Sequence, residues 1–235
     1  MSSLDQAVIG LVWYVVFLFS TSLHEAAHAW AAKRGGDPTA YQAGQVSLDP
    51  RPHIRREPFG MVLLPLFTAI TSGWPIGFAS APYDPIWALN HPRRAAWMSL
   101  AGPAANLALV LAASAAIWSG IGLGVFAIPE TISIGGANVV SATTDGFVAS
   151  AALLVSAFFT LNLVLGLFNL LPLPPLDGSG ALPLLLPERV ALRWQMAMRQ
   201  PMFAIVGMLI AWNAFGPLFR RVFRAALGLL YPGRF

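Results

Sequence analysis

The chain has 235 residues, 57% of them hydrophobic and only 10% charged, with a formal net charge of +4. Ordinary soluble domains are about 25% charged, so this composition excludes a soluble enzyme and a disordered chain. The lack of cysteine excludes a disulfide framework and restricts any metal site to histidine and carboxylate ligands. Mean hydropathy is +0.66 and the pI is near 10.1. The basic residues fall in short clusters between apolar runs, as membrane-orienting charges do, so no nucleic-acid partner is expected. The expectation is a single integral-membrane domain over residues 1–235, all-α and polytopic, in contact with the lipid bilayer.

A spanning helix needs about 20 mostly apolar residues. The first such window covers about residues 7–32 and is interrupted by His24, Glu25 and His28. No basic stretch precedes it, so a cleaved signal peptide is not expected. The second, 59–72, is short and contains Pro65, which suits a segment that dips in and returns; a re-entrant or β-hairpin segment is expected near 59–91. Windows at about 95–119, 147–171 and 202–219 follow, making about five transmembrane helices. The 95–119 window is rich in small residues, which let helix backbones approach closely. Basic residues cluster after the first helix (Lys33, Arg34, Arg51, Arg55, Arg56), before the third window (Arg93, Arg94) and after the fourth (Arg189, Arg193, Arg199). The 120–146 loop has none. The charge rule then places the N-terminus outside and the ends of helices one and four in the cytoplasm of a cell-membrane protein. The fifth window either crosses outward, or breaks at Gly216-Pro217 into an interfacial basic helix.

The chemistry sits in His24-Glu25-Ala26-Ala27-His28, an H-E-x-x-H pentad. At i and i+4 both imidazoles project from one helix face and can grip one metal, with Glu25 placed to act as general base. Three polar side chains merely hydrogen-bonded within a bundle is the bland alternative. Catalytic zinc normally takes three protein ligands. His53 and His91 lie in loops beside basic residues and read as interfacial. Most of the ten carboxylates fall in connecting segments, where solvation or an arginine satisfies them. Asp177 differs, since it ends the apolar, proline-stiffened stretch Asn169-Leu170-Leu171-Pro172-Leu173-Pro174-Pro175-Leu176-Asp177-Gly178. It could be a ligand, or could cap the next short helix.

The pentad together with the Asn169–Gly178 element resembles the site-2 protease family of intramembrane zinc metalloproteases, in its compact prokaryotic branch without PDZ or CBS modules. Gly44-Gln45-Val46-Ser47-Leu48-Asp49-Pro50, Glu57-Pro58-Phe59-Gly60, Pro75-Ile76-Gly77-Phe78-Ala79, Asn90-His91-Pro92-Arg93-Arg94 and Leu100-Ala101-Gly102-Pro103-Ala104-Ala105-Asn106 carry the resemblance further. It implies a three-helix catalytic core (about 7–32, 95–119 and 147–171) with one Zn2+ held by His24, His28 and Asp177. It also implies Glu25 as catalytic base, and Asn169 and Pro175 near substrate. Gly102, Pro103 and Asn106 would pack close to the site. Gly77, Phe78 and Ala79 would form an edge that pairs with an unwound substrate strand. The implied activity is hydrolysis of peptide bonds in transmembrane protein substrates. A metal transporter or a non-cutting binder is the competing class. The outer half of the bundle carries few polar residues for a transport path, and a binder has no use for Glu25.

Overall fold

In the computed structural model, residues 3–198 and 200–234 are described; Arg199 lies outside them. The elements in chain order are α1 (Ser3–Gly35), α2 (Thr39–Gln42), α3 (Pro50–Arg56), a π-helical turn (Phe59–Leu63) running into α4 (Leu64–Ser72), and α5 (Pro85–Asn90). There follow α6 (Pro92–Gly122), β1 (Phe126–Ala127), β2 (Ser141–Ala142), α7 (Phe147–Asn169), α8 (Asp177–Ala181), a 3-10 turn (Leu182–Leu184), α9 (Glu188–Met198) and α10 (Pro201–Leu230). Helices α1, α6, α7 and α10 are long and apolar enough to cross a membrane, and 59–72 is a shorter apolar helix. The five apolar windows of the sequence therefore resolve into four candidate spans and one short limb.

Proline and glycine set the path of that limb. Pro58 and Pro65 are tolerated in first turns, where no N–H is needed. Gly73 ends α4 at φ 70°, a left-handed cap open to glycine without steric cost. The chain then returns as an extended strip beside the helix it has just left. Phe78 N–H donates to Gly60 O (3.0 Å), and Ser80 Oγ–H donates to Glu57 Oε1 (2.6 Å). At the tip Trp74 meets Trp13 with ring centroids 4.4 Å apart. At the base Asp84 N–H donates to Asp37 Oδ2 (2.8 Å) and Trp87 Nε1–H to Gly35 O (3.1 Å). Both ends of the excursion thus lie at the C-terminal end of α1. The segment has a re-entrant shape but is not a β-hairpin. Pro75, Pro82 and Pro85 deny the strip ladder donors. Among the described residues the pairing of β1 with β2 is the only ladder, and it lies in the 123–146 loop.

From the base, α6 runs back along α1 and α7 runs parallel to α1. One core cluster joins Trp13, Val16 and Phe17 of α1 to Ala157 and Leu161 of α7. A second joins Ile117, Phe126, Val139, Phe159 and Phe223 near the loop end. Helix α10 continues through Pro217, so the break at Gly216-Pro217 does not occur. Phe219, Phe223, Leu227 and Leu230 are buried there, and this packing offsets the one hydrogen bond that Pro217 removes. Tyr231 Oη–H donates to Val139 O (2.8 Å) and Trp118 Nε1–H to Leu230 O (2.9 Å), tying the end of α10 to the loop.

Candidate metal centre

The apolar run of α1 needs no capping to be helical over His24–His28, and helical spacing stacks the two imidazoles on one face. Their ring centroids are 4.6 Å apart and their Nε2 atoms 3.0 Å apart. His24, Glu25 and His28 are 5–6% exposed, deep in a helix flanked by α6 and α7. Their ligand atoms lie within 4.8 Å of one another.

Asp177 arrives from the other side. Helix α7 stops at Asn169, and Pro172, Pro174 and Pro175 prevent its continuation. Tight turns then fold the chain back, with Leu173 N–H donating to Leu171 O (2.8 Å) and Leu176 N–H to Leu173 O (2.9 Å). Gly178 is required for the fold-back, because a Cβ there would strike the carbonyls of Leu170 and Leu171. Asp177 is thereby carried to the histidines, Oδ2 lying 3.0 Å from His24 Nε2 and 3.3 Å from His28 Nε2. The capping alternative is not realised, since Leu176 occupies the cap position of α8 without a side-chain bond.

The three donor atoms form a triangle with edges of 3.0, 3.0 and 3.3 Å. Ligands about 2.0–2.1 Å from a tetrahedral zinc are separated by about 3.3 Å, so the donor set fits one such ion. Each imidazole is held by its other nitrogen. His28 Nδ1–H donates to Met98 O (2.7 Å), and His24 Nδ1–H donates to Asn106 Oδ1 (2.5 Å). Gly102 of α6 faces the triangle, and a Cβ there would overlap Nε2 of both histidines. No hydrogen bond to the Glu25 carboxylate occurs among the described residues, which leaves its oxygens free for a reactant.

The other sequence candidates divide. Gly102, Pro103 and Asn106 are buried on α6 at the centre. Asn169 makes no hydrogen bond to the triangle among the described residues; its Nδ2–H donates to Leu165 O (3.0 Å) in its own helix. Pro175 is exposed. Gly77, Phe78 and Ala79 sit on the returning strip, and a Cβ at Gly77 would strike Phe17 and Gly60 O. Phe17 is about 10 Å of helix rise from His24, so Gly77 lies beside the centre and not in it. His53 is buried, its Nε2–H donating to Ser47 O (3.1 Å). Asn162, which accepts from Asn106, and Ser20, which accepts from Asn162, were not singled out by sequence. Their signal was available: polar residues within apolar spans tend to face other helices.

A buried H-E-x-x-H helix meeting a carboxylate from a second element, inside a bundle of candidate membrane spans, defines a membrane-embedded metallopeptidase. The chain belongs to peptidase family M50, whose sequence model matches residues 12–212. It is 33% identical over 179 residues to "Putative zinc metalloprotease YwhC" of Bacillus subtilis, covering 75% of this chain and 69% of that relative. It is 32% identical over 185 residues to "Putative zinc metalloprotease Rip2" of Mycobacterium tuberculosis H37Rv, covering 73% of this chain and 56% of the relative. The Rip2 of Mycolicibacterium smegmatis is 32% identical over 187 residues, with the same coverage of 73% and 56%. The match thus spans a little over half the length of the mycobacterial relatives. No solved structure matches the chain significantly.

Proposed function

We propose that this peptidase is an intramembrane zinc endopeptidase that cuts peptide bonds within or near transmembrane segments of membrane proteins, with its site open to the cytoplasm. The observation that carries the reading is the His24–His28–Asp177 triangle beside an unpartnered Glu25, placed well inside a candidate span. His24 precedes the end of α1 at Gly35 by about 16 Å of helix rise, below the headgroup level. Zinc bound by the triangle would polarise the scissile carbonyl and acidify the attacking water. Glu25 takes a proton from that water and returns it to the leaving amine. Gly102 leaves room over the triangle, and the Asp177 side chain, 22% exposed, marks the side from which water enters. A substrate helix must unwind to present a bond, because its carbonyls are hydrogen-bonded and shielded. The returning strip, on which Phe78 is half exposed, offers an extended backbone against which such a segment can lie.

The test is hydrolysis of single-span membrane segments by the reconstituted protein, with and without chelator, together with metal analysis. Glu25→Gln is expected to lose cleavage and keep one zinc. Loss of the metal would make Glu25 a ligand, and retained cleavage would remove it from the reaction.

A further inference from the structure

We infer that Asn162 is a positioning residue for the metal centre, fixing the tautomer of His24 through Asn106; the inference rests on the metal-centre reading above. Three groups that no step of the reaction uses are completely buried: Ser20, Asn106 and Asn162, each 0% exposed. They form one line of hydrogen bonds ending at a proposed ligand. Within a membrane bundle no water replaces such bonds, so their directions are set by the groups themselves.

The direction is decided at the far end. The main-chain carbonyl of Phe158 can only accept, so the Asn162 atom 2.9 Å away is the amide nitrogen. Its second proton goes to Ser20 Oγ (2.9 Å). Asn162 therefore presents its oxygen to Asn106, whose Nδ2–H donates to it at 2.8 Å. Asn106 is left with its own oxygen towards His24, and Nδ1 of His24 must carry the proton that bond needs. A neutral imidazole protonated at Nδ1 has its lone pair on Nε2, the atom in the donor triangle. Reversing both amides would set oxygen against oxygen at Phe158. His28 obtains the same outcome in one step from Met98 O. Both tautomers are thus dictated by main-chain carbonyls, one directly and one through two asparagines. Outer-shell partners of this kind typically contribute about 10–100-fold to metal affinity.

The experiment measures zinc affinity of the full chain in lipid nanodiscs by competition with a chromophoric chelator. Asn162→Leu is expected to weaken zinc binding about tenfold, and Asn106→Ala at least as much. Because Asn162 acts through Asn106, the double variant should bind within about twofold of Asn106→Ala alone. Ser20→Ala should stay within about twofold of the parent, since Phe158 O still orients Asn162. A merely structural Asn162 would make the two losses multiply, and that result, or an unchanged affinity in Asn162→Leu, overturns the inference. Should Asn162→Leu not fold, the zinc-free parent labelled with 15N-histidine decides. A proton on His24 Nδ1 supports the relay, and a bare Nδ1 overturns it. A parent chain that takes up no zinc, or a His24→Ala chain binding as tightly as the parent, removes the metal-centre reading itself and the relay with it.

Discussion

At the scale of single residues, two positions separate the demands of the site from those of the fold. Gly102 lies in a helix interior, where alanine is ordinarily the better residue by about 0.5–1 kcal/mol. Its missing side chain is nevertheless the space over both imidazoles. Gly102→Ala should therefore lower zinc affinity by about 100-fold. Gly122→Ala, with open space around its Cβ, should leave it unchanged in the same titration. Asp37 is structural. Burial pushes its carboxyl up, but hydrogen bonds from Thr39 and from Asp84 N–H prevail and hold it below the usual range. A depressed pKa means that the ionised form stabilises the fold above the unfolded value of about 3.9, and that this stability is lost as pH falls through the folded value. Asp37→Ala should cost about 2 kcal/mol at neutral pH, with the gap to the parent narrowing below about pH 4. Melting curves from pH 3 to 7 check the sign; a gap that widens in acid would contradict it.

At the scale of elements, the re-entrant excursion is held together by the contact of Gly60 with Gly77, and no donor of the metal centre belongs to it. Gly77→Val must push the returning strip off Phe17 and Gly60, at a cost of about 1–3 kcal/mol. Cleavage of a membrane segment should fall while bound zinc stays at one per chain, and loss of zinc would show that the strip shapes the centre itself. This division explains what was legible in the sequence. His24 and His28 are local partners, so helical periodicity alone brings them together. Asp177 was marked by its proline-rich setting, but its 3.0 Å approach to His24 depends on the fold-back over Gly178, which no spacing encodes. Asn169 matches a motif position, yet its side chain bonds within α7. Pro217 reads as a helix break, but α10 passes through it because aromatic packing at Phe219 and Phe223 lies on the far side. Asn162 was hidden in an apolar window, since its partners Ser20 and Asn106 lie 142 and 56 residues away.

At the scale of the whole molecule, the chain carries a sidedness prediction. Arg51, Arg55, Arg93 and Arg94 gather at the end of the bundle where α1 finishes, and the 123–146 loop closes the other. Cysteine is absent from the native chain, so single cysteines at Thr144, Arg55 and Leu185, all exposed, report sidedness to an impermeant thiol reagent. In intact cells Thr144→Cys should react, and the other two only after permeabilisation; outside labelling of Leu185→Cys would reverse the orientation. The closeness of Glu57 to Ser80 has a consequence of another kind. An excursion that leaves and rejoins the chain at neighbouring points contributes an even number of passages, and so leaves the up-and-down alternation of every later helix untouched. It is an appendix in the topological sense: residues 58–79 could be excised and Glu57 joined to Ser80 without turning α6, α7 or Asp177 over. Such a shortened chain should still assemble its zinc centre, having lost only the apparatus that lies beside it.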